Sequence, residues 1–199
     1  GLVNGPSKGE GLGNKFLANI RNTDAIIHVL RCFENGNITH VDGSVDPVRD
    51  KEIIDTELQL KDLETVENRI GKVQKQGQSG GDKNAKRLYE ILVQYKTALE
   101  QGRSARTVEI DKEDAKLVRE LGLLTVKPVL YVCNVDEKSA VTGNAYTEAV
   151  KAAIAGEKAE MLVVAAATEA DIAELESYEE RQMFLEDLGL AESGVARLI

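Results

Sequence analysis

Three short apolar segments predict the strands of this protein. They lie at about residues 25–32, 129–133 and 161–165, and apolar residues run through each without the alternation of a strand that has one wet face. Uninterrupted runs of this length indicate strands buried on both faces, as in a parallel sheet between two layers of helices. We therefore predict an α/β fold with a three-layer arrangement, in which the strands are parallel and 129–133 is the central one.

A helical periodicity fills most of the stretch between the first two strands. Apolar residues recur every three or four positions over 54–73 and again over 88–99, which is the spacing of one helix face. A turn rich in Gly and Ser separates these two segments. We predict an antiparallel helical hairpin, similar to a coiled coil, at 46–106. It is inserted into an α/β domain formed by 1–45 and 107–199.

Local signals predict two further helices. Phe16, Leu17 and Ile20 have the spacing of one apolar helix face, directly after a glycine-rich segment. Asp111 is predicted to cap a second helix that runs to about Gly122, because a short acceptor side chain satisfies the first N–H groups of a helix.

Composition narrows the class of protein. The 199 residues carry a net charge of −9, two cysteines and no tryptophan, and no apolar run approaches 20 residues. We expect a cytoplasmic protein that neither spans a membrane nor is secreted. Cys32 and Cys133 are predicted as buried, reduced thiols. His28 and His40 lack neighbours of the kind that bind zinc, so no metal site is predicted.

The charge is distributed unevenly. Residues 61–106 carry a net charge of +4, which leaves −13 for the rest of the chain. Such a basic segment indicates either a polyanionic partner or the solvated face of a coiled coil, and the residues alone leave both interpretations open. If the partner is RNA, the candidate contacts are Lys72, Lys75, Lys86 and Arg87.

A polar cluster follows the central strand. Asn134 comes directly after the apolar run, and Asp136 and Glu137 follow it. Ligands of parallel sheets bind at the carboxyl ends of the strands, and a carboxamide next to carboxylates can read the edge of a purine. An ordinary polar turn is the alternative. The third strand ends in small residues, Ala165 and Ala166, where a backbone can approach a ligand closely.

Four stretches together resemble one family. They are Gly1–Leu17, Leu30–Asn35, Asn134–Glu137 and Glu169–Leu175, and the similarity covers essentially the whole chain. They resemble the YchF or Obg-like ATPases, a family of P-loop nucleoside triphosphatases related to translation factors. The resemblance implies a partial P-loop NTPase fold, binding of ATP or GTP with Mg²⁺, nucleotide hydrolysis, and association with ribosomes or RNA through the basic hairpin.

The resemblance also assigns residues around the phosphates. Gly1 matches the glycine of the family's Asp-x-x-Gly switch motif, whose amide contacts the γ-phosphate, and 3–13 matches the mobile switch II. Leu2 stands where Ras-like enzymes carry the glutamine that orients water. Because leucine cannot orient water, the catalytic group is not identified by the sequence.

The base-reading motif departs from that of GTPases. Asn134 to Glu137 stand where GTPases have Asn-Lys-x-Asp, and the longer glutamate is misplaced for the two guanine edge donors. Family members with this glutamate prefer ATP, so the resemblance implies adenine contacts from Asn134 and from the backbone near Val135. Ala165 and Ala166 match the loop that closes on the base. A preference for GTP stays open if Asp136 or Glu137 reaches the guanine edge.

The resemblance further predicts an upstream phosphate-binding loop and a downstream TGS domain, and neither lies within these 199 residues. Because that loop supplies most phosphate contacts and a magnesium ligand, we expect the chain alone to bind nucleotide weakly or not at all and to be catalytically inactive. The strand at 25–32 would then be an exposed sheet edge, which favours self-association.

Overall fold

The computed structural model describes residues 10–36, 44–77 and 83–199. Short 3₁₀ turns occur at Ala105–Thr107 and Glu137–Ser139. The strands are β1 (Ile26–Arg31), β2 (Val129–Asn134) and β3 (Glu160–Val164). The helices are α1 (Glu10–Arg21), α2 (Pro47–Gly77), α3 (Lys83–Glu100), α4 (Ala115–Arg119), α5 (Ala145–Ala153), α6 (Ala166–Glu174), α7 (Tyr178–Asp187) and α8 (Gly194–Leu198).

The strands form one sheet in the order β1-β2-β3. Strands β2 and β3 are parallel, with Leu130 opposite Glu160 and Asn134 opposite Val164. At the two ends of β1, Ile26 N donates to Pro128 O (2.9 Å) and Cys32 N donates to Asn134 O (2.8 Å). The residue numbers of the partners increase together along the two strands, so β1 is parallel to β2 as well. The predicted α/β class, the three strands and the central position of β2 are confirmed.

The prediction that β1 is buried on both faces was wrong for the described residues. Leu30 is buried, but Ile27 is 55% exposed and Val29 is 61% exposed. Alternate residues of a strand point to opposite faces, so one face of β1 is covered and the other is not. Strand β1 is at the end of the strand order, and the self-association predicted for this edge stays a prediction.

Helices α2 and α3 form the predicted antiparallel hairpin. Lys96 Nζ donates to Glu67 Oε1 (2.8 Å), and Gln74 Nε2 donates to the hydroxyl of Tyr89 (3.3 Å). The later residue of α2, Gln74, therefore contacts the earlier residue of α3, Tyr89. Only antiparallel helices give this order of partners. The apolar positions that recur along both helices form the core between them, which includes Val66, Val73, Leu88, Ile91, Leu92, Tyr95 and Leu99.

The chain divides into two compact units. The first contains 1–26, 52–128 and 156–158, and therefore α1, most of the hairpin and α4. The second contains 27–51, 129–155 and 159–199, and therefore most of the sheet and the helices from α5 onward. The domain boundaries given above from the sequence stay a prediction.

Helix α1 packs within the first unit through part of its predicted face. Leu17 is buried in a cluster with Leu58 of α2 and Leu124, and Ile20 packs against this cluster. Phe16, predicted on the same face, is 41% exposed. Positions 16 and 17 are about 100° apart around a helix. When Leu17 points into the core, Phe16 therefore lies at the edge of the buried face of α1.

The helix predicted at 111–122 is shorter and begins later. Helix α4 starts at Ala115, with Asp114 at the N-cap position and without a side-chain cap. The carboxylates of Asp111 and Asp114 instead face Arg87 of α3, with oxygen to Nη2 distances of 3.3 and 2.7 Å. The predicted cap at Asp111 was wrong because a guanidinium distant in sequence binds the side chain that would have capped the helix.

The core of the hairpin holds a tyrosine with a shifted pKa. Tyr95 is 2% exposed, and burial, followed by the charge of Asp62, raises the pKa of its hydroxyl from 10.0 to about 12. The folded state therefore keeps a proton that the unfolded state loses, so Tyr95 contributes stability that is complete below pH 10 and is lost as pH rises toward 12.

We expect the absorbance of tyrosinate to show a late step near pH 12 that is missing in Tyr95→Phe. The control Tyr178→Phe, at an exposed position of α7, should keep this step. A complete tyrosine titration of the folded protein below pH 11 would contradict the assignment.

No helix in the described part of the chain combines the length and the apolar character that crossing a bilayer requires.

Candidate functional site

The carboxyl ends of the strands bring the predicted base-reading residues together. Asn134 ends β2, and its side-chain Oδ1 accepts a hydrogen bond from Ala166 N (3.0 Å) at the start of α6. Ala165 occupies the N-cap position of α6 and has no side chain able to cap it. The Asn134 carboxamide therefore does for α6 what a capping side chain would do, and it fixes the 165–166 loop to the end of β2.

Val135 and Ala165 lie at this edge with their side chains turned into the protein. Both side chains are buried, and Val135 N donates to Val164 O (2.9 Å), which continues the ladder between β2 and β3. Any contact of these residues with a ligand would therefore be made by their backbone and not by their side chains.

The two acids of the motif differ in what they bind. The carboxylate of Asp136 accepts a hydrogen bond from Ser139 N (3.1 Å) and caps the 3₁₀ turn that follows. Glu137 is the first residue of this turn, and its side chain is exposed. Both side chains are exposed at this edge of the sheet, and that of Asp136 accepts a hydrogen bond from the turn that follows it.

An asparagine that the sequence analysis missed supports the neighbouring end of β1. The side chain of Asn144 donates from Nδ2 to Cys32 O (2.7 Å) and accepts from Tyr146 N and Thr147 N. With Thr147 it forms a complete capping box at the start of α5. The signal was present in the sequence, because Asn followed three residues later by Thr before an apolar helix face is a capping pattern.

A cation–π contact at this edge was not predicted. The guanidinium of Arg31 lies 4.9 Å from the centre of the Phe33 ring, directly after β1, which is a cation–π distance. The prediction that Cys32 and Cys133 are buried, reduced thiols is confirmed, because both are free and buried. The hydrogen bond between their thiols, together with burial, raises the pKa of Cys32. A thiol with a raised pKa is a poor nucleophile, so Cys32 is part of the packing here.

A carboxylate behind the 165–166 loop holds the last helix. Glu169 of α6 accepts hydrogen bonds from Gly194 N (2.6 Å) and Val195 N (3.3 Å) at the start of α8. A side chain at position 194 has no room, because a Cβ there would lie 2.9 Å from Val164 Cγ2 and 3.0 Å from Glu169 Oε1. The glycine is what allows α8 to approach β3.

Gly194→Ala is therefore expected to lower the free energy of unfolding by about 1–3 kcal/mol, since overpacking a tight contact shifts the backbone. Urea denaturation measures the loss, and hydrogen exchange should be faster over 195–199. The matched control is Gly156→Ala, where a Cβ would meet nothing within 4 Å. Equal stabilities for the two variants would contradict the tight fit at position 194.

The four candidate RNA contacts lie on the hairpin but are not equivalent. Lys72 and Lys75 on α2 and Lys86 on α3 are exposed. Arg87 instead binds carboxylates of its own chain, with distances of 2.7 Å to Asp114, 3.3 Å to Asp111 and 3.4 Å to Glu90. These contacts, with Asp114 the largest, raise the pKa of Arg87. Its guanidinium is used within the protein, which favours the structural interpretation for this residue.

The predicted phosphate contacts Gly1 and Leu2 lie outside the described residues. Within 10–36, 44–77 and 83–199, no group of three or more His, Cys, Asp or Glu residues is arranged to hold a metal ion.

Comparisons with known proteins give a consistent result. No protein-family model matches the chain. A protein of Bacillus subtilis named ribosome-binding ATPase YchF is 53% identical over all of this chain and 54% of its own length. Obg-like ATPase 1 of Oryza sativa subsp. indica is 46% identical over 69% of this chain and 35% of its own length.

The fold agrees with these similarities. The solved structure of the Schizosaccharomyces pombe YchF GTPase matches 98% of this chain and 53% of its own, with a TM-score of 0.83 and 30% sequence identity. The chain thus spans about half the length of the relatives that it matches. Its sequence and its fold agree along essentially all of its residues, and the chain belongs to the YchF and Obg-like ATPase family.

Proposed function

We propose that this chain is part of a nucleoside triphosphatase of the YchF type that binds ATP in preference to GTP and reads the base at the carboxyl edge of its sheet. The hydrogen bond between the Asn134 side chain and Ala166 N carries the proposal. It joins the two segments that a purine would have to contact from different strands. The relatives' names, ribosome-binding ATPase and GTPase, support nucleotide hydrolysis as the activity.

Each residue at this edge has a defined role in the proposal. Since Asn134 Oδ1 is used by Ala166 N, its Nδ2 is the group that donates to an acceptor on the base. The backbone N–H of Val135 is used by β3, so its carbonyl is the group that accepts from an exocyclic amine. Ala165 and Ala166 limit the depth of the site with small side chains and the backbone of the first turn of α6.

The difference between the two acids supports adenine. Guanine presents two edge donors to a single carboxylate, and Asp136 is used as the cap of the following turn. Glu137 is exposed and one methylene longer than aspartate, which places its carboxylate away from the position that an aspartate would occupy. Adenine needs no such carboxylate, because its amine is satisfied by a carbonyl.

The phosphate end of the site is proposed from the resemblance. Gly1 would contact the γ-phosphate through its amide, and Leu2 leaves the water-orienting position without a polar group. Magnesium would be bound with the nucleotide, and these 199 residues alone would bind the nucleotide weakly. The group that activates water is not assigned.

Titration with fluorescent analogues of ATP and GTP tests this proposal, on this chain and on a longer form that corresponds to the full length of the relatives. Tighter ATP binding by the longer form, weakened at least about tenfold by Asn134→Ala, is expected, because one side-chain contact of this kind contributes 1–3 kcal/mol. Asn22→Ala, at an exposed position after α1, is the matched control. Tighter binding of GTP, or no effect of Asn134→Ala, would contradict it.

A second candidate function is docking on RNA by the hairpin, without a need for hydrolysis. The net charge of +4 over 61–106 favours it, and so does the ribosome binding in the relatives' names. The exposed lysines Lys72, Lys75 and Lys86 would contact phosphates.

Changing these three lysines to glutamate is expected to weaken RNA binding at least about tenfold and to reduce its salt dependence, because each phosphate contact releases counterions. The control changes Lys116, Lys138 and Lys151 to glutamate, which alters the net charge equally at exposed positions outside the hairpin. Binding of ribosomal RNA over a range of salt concentrations measures both. The same loss in the two variants would mean that only net charge matters.

A further inference from the structure

Helix α1 ends in a clamp formed by a single lysine. Lys127 Nζ donates to Ile20 O (2.7 Å), to Arg21 O (2.7 Å) and to Thr23 O. An ammonium has three donors, and all three are used by carbonyls in and just after the last turn of α1, of which that of Ile20 also accepts from Thr23 N (3.1 Å) and Thr23 Oγ1 (2.8 Å). The positive charge also lies at the negative end of the helix dipole. Lys127 therefore ties the end of α1 to the segment 123–127.

The backbone around Lys127 is held in turn by the segment after α3. Arg106 Nε donates to Lys127 O (2.9 Å), and Arg106 N donates to Thr125 O (3.0 Å). Ala105 N donates to the hydroxyl of Thr125 (2.9 Å). The segment 123–127 is thus hydrogen-bonded both to the end of α1 and to residues 105–106, which follow α3.

The same segment is bound to the first helix of the hairpin by a buried carboxylate. Asp62 of α2 is 1% exposed and accepts hydrogen bonds from Leu124 N (2.7 Å), Thr125 N (2.7 Å) and Thr125 Oγ1 (2.6 Å). Nearby, Gln59 Nε2 donates to Gly102 O and Ser104 Oγ, both at 3.2 Å. A buried carboxylate that accepts three hydrogen bonds is a rigid joint, because each donor would be costly to leave unsatisfied.

Apolar contacts join α1 and α2 as well. Leu17 of α1, Leu58 of α2 and Leu124 form one buried cluster, against which Ile20 and Ile54 pack. Packed side chains of this kind resist continuous deformation. The segment 123–127 therefore carries the clamp at Lys127, the donors to Asp62 and one member of this apolar cluster, Leu124.

We propose that Lys127 is a positioning residue that makes α1 and the base of the hairpin move as one body, through the segment 123–127 and Asp62. This rests on the proposed function in one respect: α1 follows the glycine-rich segment that would respond to the γ-phosphate. A displacement of α1 by nucleotide is then transmitted to the hairpin that docks on the partner. The alternative is a local helix cap that stabilises the end of α1 and affects nothing else.

Hydrogen–deuterium exchange, measured on these 199 residues alone, distinguishes the proposed coupling from a local helix cap. Lys127→Met keeps the aliphatic chain and removes the three donors. It is expected to speed exchange about tenfold at the end of α1, over 16–23, and also over 54–62 of α2, since exchange reports local opening. Lys116→Met, at an exposed position of α4 in the same unit, should change neither region. Faster exchange over 16–23 alone would overturn the proposal.

A double-mutant cycle with Asp62→Asn adds a second criterion. If Lys127 and Asp62 act through one body, the combined variant should speed exchange less than the product of the two single effects. Thr125→Val, which removes the hydroxyl that donates to Asp62 and accepts from Ala105 N, replaces Asp62→Asn if that variant does not fold. Independent, multiplicative effects in the cycle would also overturn the proposal.

The longer form of the protein tests the link to nucleotide. On addition of a non-hydrolysable ATP analogue, exchange over 54–77 is expected to change in the unmodified protein and to change less in Lys127→Met, with equal affinity for the analogue in both. Absence of analogue binding would contradict the proposed function, whereas the exchange on the chain alone would still test the coupling. Binding without any change over 54–77 would overturn the coupling and leave the proposed function intact.

Discussion

Asp62→Asn is expected to lower the free energy of unfolding by about 3 kcal/mol, because an amide has one acceptor oxygen and cannot replace both carboxylate oxygens, of which one accepts from Leu124 N and the other from Thr125 N and Thr125 Oγ1. In either orientation of the amide, its NH2 group would face a backbone N–H, that of Leu124 or that of Thr125, and this donor would be left without an acceptor. Burial raises the pKa of the Asp62 carboxyl, and the hydrogen bonds from Thr125 and Leu124 oppose that rise. Urea denaturation at neutral pH, followed by circular dichroism, measures the change.

Glu64→Gln is the matched control two residues along the same helix. Glu64 forms an exposed ion pair with Lys61 at 3.5 Å, and exposed pairs contribute less than about 1 kcal/mol. We therefore expect its midpoint to stay close to that of the unmodified protein. If Asp62→Asn were as harmless as Glu64→Gln, the carboxylate would not be the joint described here.

Glu137→Asp is expected to shift nucleotide preference from ATP toward GTP by about tenfold or more in the longer form of the protein. The shorter side chain would place the carboxylate where, by the resemblance to GTPases, an aspartate accepts both edge donors of guanine. A bidentate contact of this kind discriminates between bases by about 1–3 kcal/mol. The ratio of the two dissociation constants, measured by competitive titration, is the quantity to compare.

The control for this experiment is Asp136→Asn, which alters the neighbouring acid and weakens the cap at Ser139 N. It should leave the ratio of the two dissociation constants unchanged, even if both become larger. A preference for GTP that appears in Asp136→Asn and not in Glu137→Asp would mean that the two acids had been assigned the wrong way round.

Features with a local periodicity could be predicted from the sequence. The strands and the hairpin follow from runs of apolar residues that need no distant partner to be recognised. The position of Asn134 at the end of β2 was predicted for the same reason, since the apolar run stops there. What the sequence could not indicate is the bond from Ala166 N, because it joins positions 32 residues apart.

The failures have a common physical cause, which is a partner far away in the chain. Asp111 has the features of a helix cap until Arg87, 24 residues earlier, binds it. In the sequence, Asp62 is one of several acids in a charged hairpin. In the structure it is buried, and its hydrogen-bond donors lie 62 and 63 residues away in the chain. Ile27 and Val29 have the pattern of a strand buried on both faces, but the burial of a face depends on what packs against it.

The length of α2 gives the joint at Asp62 a mechanical consequence. The helix continues for 15 residues beyond Asp62, to Gly77, which corresponds to a lever of about 22 Å. If the body that contains this rigid joint rotated by about 10°, the far end of the lever would move through about 4 Å. Lys72 and Lys75 lie on this outer part, so a small rotation near α1 is amplified where the hairpin carries its exposed positive charge.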